Sequence, residues 1–140
     1  MTSTSAARVA AAILVLAATA LTACGKQEEP AASVTTVQLT ARDSGSTVPL
    51  STGDQIVITL DSNITTGFAW KLTREPDAGI LDLTSSHYVE PTTSLIGAGG
   101  SEVWRFVATG PGTTSLEMKY ERSSGESVGD AFTLTVDVSG

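Results

Sequence analysis

One cysteine and one histidine are all that this 140-residue chain holds of the side chains most used for metal ligation and nucleophilic chemistry. Zinc needs three or four such ligands, so metal sites of the His/Cys type are excluded by count. A lone cysteine cannot close an intrachain disulfide, and the fold must rest on its core. His87, in His87-Tyr88-Val89, is the one imidazole that could serve a serine nucleophile; it reads as a surface or core-edge residue at a strand end, and the chain reads as a non-enzyme. Gly97-Ala98-Gly99-Gly100 lacks the third spaced glycine and the following helix of a dinucleotide loop, so no cofactor is expected.

Basic residues are also scarce, 8 Lys and Arg against 15 Asp and Glu. Such a surface repels phosphate backbones, which argues against nucleic acid and against polyanionic ligands. Aromatic residues make up only 5% of the chain, yet four of them fall in two spaced pairs, Phe68-Ala69-Trp70 and Trp104-Arg105-Phe106. Residues two apart share a face of a strand, so each pair is expected to bury together.

Long apolar runs are confined to one place. After Arg8, residues 9–23 carry no charge and end in Leu21-Thr22-Ala23-Cys24. A membrane-spanning helix needs about 20 apolar residues, and this stretch is shorter and closes on small residues, the pattern of a signal peptide. The last four residues resemble the lipobox of bacterial lipoproteins, in which the cysteine receives a diacylglyceryl group and becomes residue one. The expected organisation is a signal peptide over 1–23, a lipidated Cys24 with a polar tether through residue 33, and one domain over 34–140. The resemblance implies an extracytoplasmic domain anchored to the membrane through Cys24. Removal of Arg8 with the leader leaves seven basic against fifteen acidic residues, a formal balance of −8.

From residue 34 onward apolar and polar residues alternate, with turn signals every eight to twelve positions and no helical period of useful length. Ile56, Ile58 and Leu60 share one face; so do Leu116, Met118 and Tyr120, and Phe132, Leu134, Val136 and Val138. Punctuation is expected at Ser51 to Asp54, Pro76 to Gly79, Gly97 to Gly100, Gly110 to Gly112 and Ser123 to Gly129. This predicts an all-β, immunoglobulin-like antiparallel β-sandwich of seven to eight strands.

Three loops are left without a structural reason: Asn63 to Gly67, Leu95 to Gly100, and a long turn after Tyr120. In a Greek-key sandwich such loops can gather at one end. Asn63-Ile64-Thr65-Thr66-Gly67-Phe68-Ala69-Trp70, Gly97-Ala98-Gly99-Gly100 and Tyr120-Glu121-Arg122, in that order over about residues 47–138, resemble the chagasin family of cysteine-protease inhibitors. The resemblance implies a partner of the papain-like class, whose cleft is filled without covalent chemistry by Asn63, Ile64, Thr65, Thr66, Gly67, Phe68, Gly97, Gly99, Gly100 and Arg122. A monomer is expected. Two departures stand out: Ile64 replaces the family's proline, and Ser123-Ser124 replaces its Pro-Trp. The second reading is an extracytoplasmic sandwich-fold binding or adhesion lipoprotein with a non-protease partner, since fold alone does not fix function.

Overall fold

The computed structural model describes residues 32–140. The signal peptide, Cys24 and the tether as far as Ala31 lie outside the described residues, and Ala32 to Thr35 form no regular element.

Eight strands follow: β1 (Thr36–Thr40), β2 (Ser46–Ser51), β3 (Gln55–Ser62), β4 (Phe68–Arg74), β5 (Leu81–Val89), β6 (Gly100–Ala108), β7 (Gly112–Arg122) and β8 (Ser127–Ser139). They form two four-stranded sheets, ordered β1-β3-β6-β5 and β2-β8-β7-β4. The alternation seen in the sequence is the reason. Ile56, Ile58 and Leu60, Leu116 and Met118, and Phe132, Leu134, Val136 and Val138 are all buried between the sheets. Removing such side chains from water contributes about 1.5–3 kcal/mol each, and with no disulfide this is what holds the layers together. Both aromatic pairs join the interior as expected, with Phe68, Trp70, Trp104 and Phe106 all buried.

The sandwich is not wholly antiparallel. β1 runs parallel to β3, and β2 runs parallel to β8. The chain climbs one sheet edge as β1, crosses through a short 3-10 turn at Ala41–Asp43, and descends the edge of the other sheet as β2. Crossing between sheets lets two consecutive strands each add in parallel to a different neighbour without a long crossover within one sheet.

His87-Tyr88-Val89 form the end of β5, with the His87 side chain exposed, as expected. One other expectation changes. The long turn expected over Ser123 to Gly129 shrinks to Ser123–Glu126, because β8 already begins at Ser127. What reads as loop there is an irregular start to the strand: Lys119 pairs with Ala131 but Glu121 pairs with Ser127. Gly129, at φ 89°, sits within that irregularity.

Candidate functional site: three loops at one pole

Strand direction decides where the loops lie. Ser62, the last residue of β3, faces Gly100, the first of β6, and Phe68, the first of β4, faces Arg122, the last of β7. The connections 63–67, 90–99 and 123–126 therefore leave from the same pole. The turns at 52–54, 75–80 and 109–111 occupy the other, where Gly53 donates to the Ala108 carbonyl and Thr109 to that of Ile80.

The first loop is a single 3-10 turn, Ile64–Thr66, capped at both ends. Asn63 is its N-cap: Oδ1 accepts from the Thr65 N–H at 3.2 Å and from the Thr65 hydroxyl at 2.6 Å. Thr66 Oγ1 donates to the Asn63 carbonyl at 2.6 Å. Both threonine hydroxyls thus spend their protons inside the loop and remain acceptors toward a partner. Gly67 closes the turn at φ 79°, ψ 5°, a left-handed conformation that costs an L-residue about 1–2 kcal/mol. Proline is absent at position 64, and the side-chain cap holds the turn without it. Ile64 itself is 47% exposed.

The second loop carries what the sequence analysis passed over. Leu95 and Ile96 are 74% and 105% exposed, the most solvent-accessible large apolar residues described. Their signal in the sequence was two adjacent apolar residues between Ser94 and Gly97 with no alternation around them. The glycines differ in purpose. Gly97 adopts φ 81°, and a Cβ on Gly99 would meet the Ser62 carbonyl at 3.3 Å. Gly100 is required from within: a Cβ there would collide with the Val89 carbonyl oxygen and lie 2.6 Å from the Tyr88 hydroxyl. A role for Gly100 in close approach to a partner is therefore not needed to explain it.

The third loop is a tight hairpin. Arg122 N–H donates to the Glu126 carbonyl at 2.8 Å, and Gly125, at φ 87°, donates to the Arg122 carbonyl at 2.9 Å. Arg122 pairs with Glu126 at 2.8 Å and lies over Phe68.

Beneath the loops the two sheets are stitched. Glu102 on β6 is buried, and its Oε1 accepts from the Ser62 hydroxyl at 2.7 Å and from the Trp70 N–H of β4 at 3.0 Å. Trp70 Nε1 donates to the Asp61 carbonyl at 2.9 Å. Tyr120 on β7 stacks near both Phe68 and Trp70, with ring centroids 5.5 and 5.3 Å away. Its hydroxyl accepts from the Asn63 N–H at 2.7 Å. The pole is thus preorganised, which lowers the ordering cost of binding.

Among the described residues no group of three or more His, Cys, Asp and Glu is placed to hold a metal ion. Gly125-Glu126-Ser127-Val128-Gly129 spells the G-x-S-x-G letters of a nucleophile elbow, which sequence reasoning overlooked. It lies on the β7–β8 hairpin rather than on a strand-to-helix turn. Ser127 accepts from the Gly129 N–H, and His87 belongs to the opposite sheet.

A β-sandwich that offers three braced loops from one pole is a loop-presenting binding scaffold. Comparison with known proteins makes the class specific. Residues 49–138 match the family model described as chagasin family peptidase inhibitor I42. The chain belongs to the chagasin family of cysteine-peptidase inhibitors. It is 32% identical over 88 residues to chagasin from Trypanosoma cruzi, covering 61% of this chain and 80% of that protein. Among solved structures it is similar to the cysteine protease inhibitor EhICP2 from Entamoeba histolytica, with a TM-score of 0.67 and 22% identity over 76% of this chain and 97% of that one. Amebosin matches with a TM-score of 0.62 and 25% identity, over 76% of this chain and all (100%) of that one. The last two likenesses speak to the fold.

Proposed function

We propose that this protein is a membrane-anchored, reversible inhibitor of papain-like cysteine proteases, acting as a monomer that fills the active-site cleft with its three loops. The observation that carries the reading is the shared pole: the three connections leave the same end of the sandwich, and two of them are tied by a hydrogen bond from Asn63 Nδ2 to the Gly97 carbonyl at 3.0 Å. Thr65 and Thr66 present compact side chains on a capped turn, so little rotamer entropy is lost when they enter a narrow cleft. Leu95 and Ile96 add exposed apolar surface beside them. The apex of the third loop, Ser123-Ser124, has no aromatic anchor. A tryptophan hot spot is worth about 2–4 kcal/mol, so inhibition is expected to be weaker than in relatives that carry one.

The anchor rests on Leu21-Thr22-Ala23-Cys24. Fatty-acid labelling of the wild-type protein but not of Cys24→Ser tests this point. The inhibitor reading is tested by titrating the protein against papain, with a 1:1 complex on gel filtration expected. Full protease activity at micromolar protein would overturn it. The serine apex is the one observation favouring the second reading, a binding lipoprotein with another partner, and a non-protease partner captured through the same loops would support that instead.

A further inference from the structure

The family resemblance implies that Asn63 is a contact residue for the protease. The structure assigns it a different part: we propose that Asn63 is a positioning residue, a latch whose carboxamide joins the first and second loops into one rigid edge, and that the affinity for a protease passes through this latch.

The geometry leaves little of the side chain for a partner. Oδ1 takes two donors from Thr65, the N–H at 3.2 Å and the hydroxyl at 2.6 Å. Nδ2 donates across to the Gly97 carbonyl at 3.0 Å. These partners fix which end of the amide is oxygen, because donors lie on one side and a carbonyl on the other. The backbone N–H of the same residue goes to Tyr120, at the stem of the third loop. One residue therefore touches all three loops or their supports.

The second loop has little else to hold it. Its own turn is closed by Ala98 N–H to the Leu95 carbonyl at 3.1 Å, and Leu95 and Ile96 pack into no core. The Asn63 bridge lands on Gly97, the residue just after this exposed apolar pair. Breaking it frees the pair to move relative to Thr65 and Thr66, and the ordering cost falls due on binding.

The decisive variant is Asn63→Asp. A carboxylate still accepts from Thr65 but cannot donate to Gly97, and it faces that carbonyl with a negative charge. When protonated, at a pH near or below about 4, the same group regains a donor and matches the amide in shape. This inference rests on the inhibitor reading, so the experiment has two arms. In the first, the inhibition constants of wild type and Asn63→Asp against papain are compared from pH 7 to pH 4. The expected ratio is about tenfold at pH 7, through faster dissociation, and it narrows as pH approaches 4 and the aspartate takes up its proton. In the second, backbone amide order parameters of Gly97 to Gly99 are measured in the free protein. They are expected to drop in Asn63→Asp at pH 7 and to rise again as pH approaches 4, with the thermal midpoint almost unmoved because both loops are exposed.

A ratio that stays constant across pH, or rigid Gly97 to Gly99 amides in the variant at pH 7, would overturn the latch. Absence of inhibition by the wild type would sink the inhibitor reading, while the order parameters still decide whether the latch exists.

Discussion

The guanidinium of Arg122 lies 4.5 Å from the centroid of the Phe68 ring, joining the last residue of β7 to the first residue after the Asn63 to Gly67 loop. This is why a residue of the third loop and a residue of the first coincide in space. It also separates their energetic roles, because Phe68 is buried whereas the Arg122 side chain is 44% exposed.

Replacing Arg122 with alanine removes an exposed cation–π contact and an exposed ion pair, together expected to cost about 1 kcal/mol or less. Phe68→Ala opens a cavity beside Tyr120 and is expected to cost about 3–5 kcal/mol. Urea denaturation of the two variants checks this. Equal losses would mean that Arg122 is a structural prop and not a surface group available to a partner.

Variants in the first two loops are expected to separate folding from binding. Gly100→Ala drives a methyl group into the Val89 carbonyl and the Tyr88 ring, an overpacking expected to cost about 1–3 kcal/mol or more. Thr65→Ala removes only a hydroxyl that donates to Asn63 within an exposed loop, so its thermal midpoint should stay close to wild type while its inhibition constant rises. Gly67→Ala falls between, since its φ of 79° carries a strain of about 1–2 kcal/mol for any L-residue. Thermal melts alongside papain titrations of the three variants should give this order. A Gly100→Ala protein that melts like wild type would show that the strand ends yield more readily than the geometry implies.

Local periodicity made much of this legible. Alternation alone placed Ile56, Ile58, Leu60 and Phe132 to Val138 in the core, and the two aromatic pairs declared their common face. Strand partners were not legible, because pairing is a long-range choice: nothing local in Thr36–Thr40 says that it joins β3 in parallel. Polar, glycine-bearing Ser127 to Gly129 reads as loop although its backbone already belongs to β8, for a bulge tolerates the composition of a turn. The loop motifs were visible as residue types, but the internal demand on Gly100 and the bridge from Asn63 to Gly97 exist only once distant segments meet.

The two tryptophans offer a matched comparison of hydrogen bonding. Trp70 Nε1 donates to Asp61, whereas Trp104 Nε1 is buried without a hydrogen-bond partner. Both rings are buried to the same degree, 8% exposed, so replacement by phenylalanine removes comparable apolar volume from each. Trp70→Phe also breaks a made bond, while Trp104→Phe deletes a donor that gains nothing. Trp70→Phe is therefore expected to be the more destabilising by about 1 kcal/mol in chemical denaturation. Equal losses would mean that the Trp70 bond contributes nothing net.

Acid should loosen the pole away from the loops first. The Asp54 carboxylate accepts from the Ser51 N–H and the Thr35 N–H, both at 2.8 Å, tying the start of the domain to the β2–β3 turn. The bond from Ser51, then that from Thr35, hold its pKa below the ordinary carboxylate value, against a smaller opposing effect of desolvation. A group whose pKa is lower in the folded protein binds fewer protons there than in the unfolded chain. Its stabilisation is complete above the unfolded value of about 4 and is lost as pH falls through the folded one. Asp54→Asn should be less stable than wild type at pH 7, and the gap should narrow steadily below about pH 4 as the wild-type carboxylate takes up its proton. Urea midpoints of both proteins between pH 7 and pH 2 measure this directly. A gap that held constant across that range would mean that the two backbone bonds survive protonation and that the charge on Asp54 does not hold the domain's first residues in place.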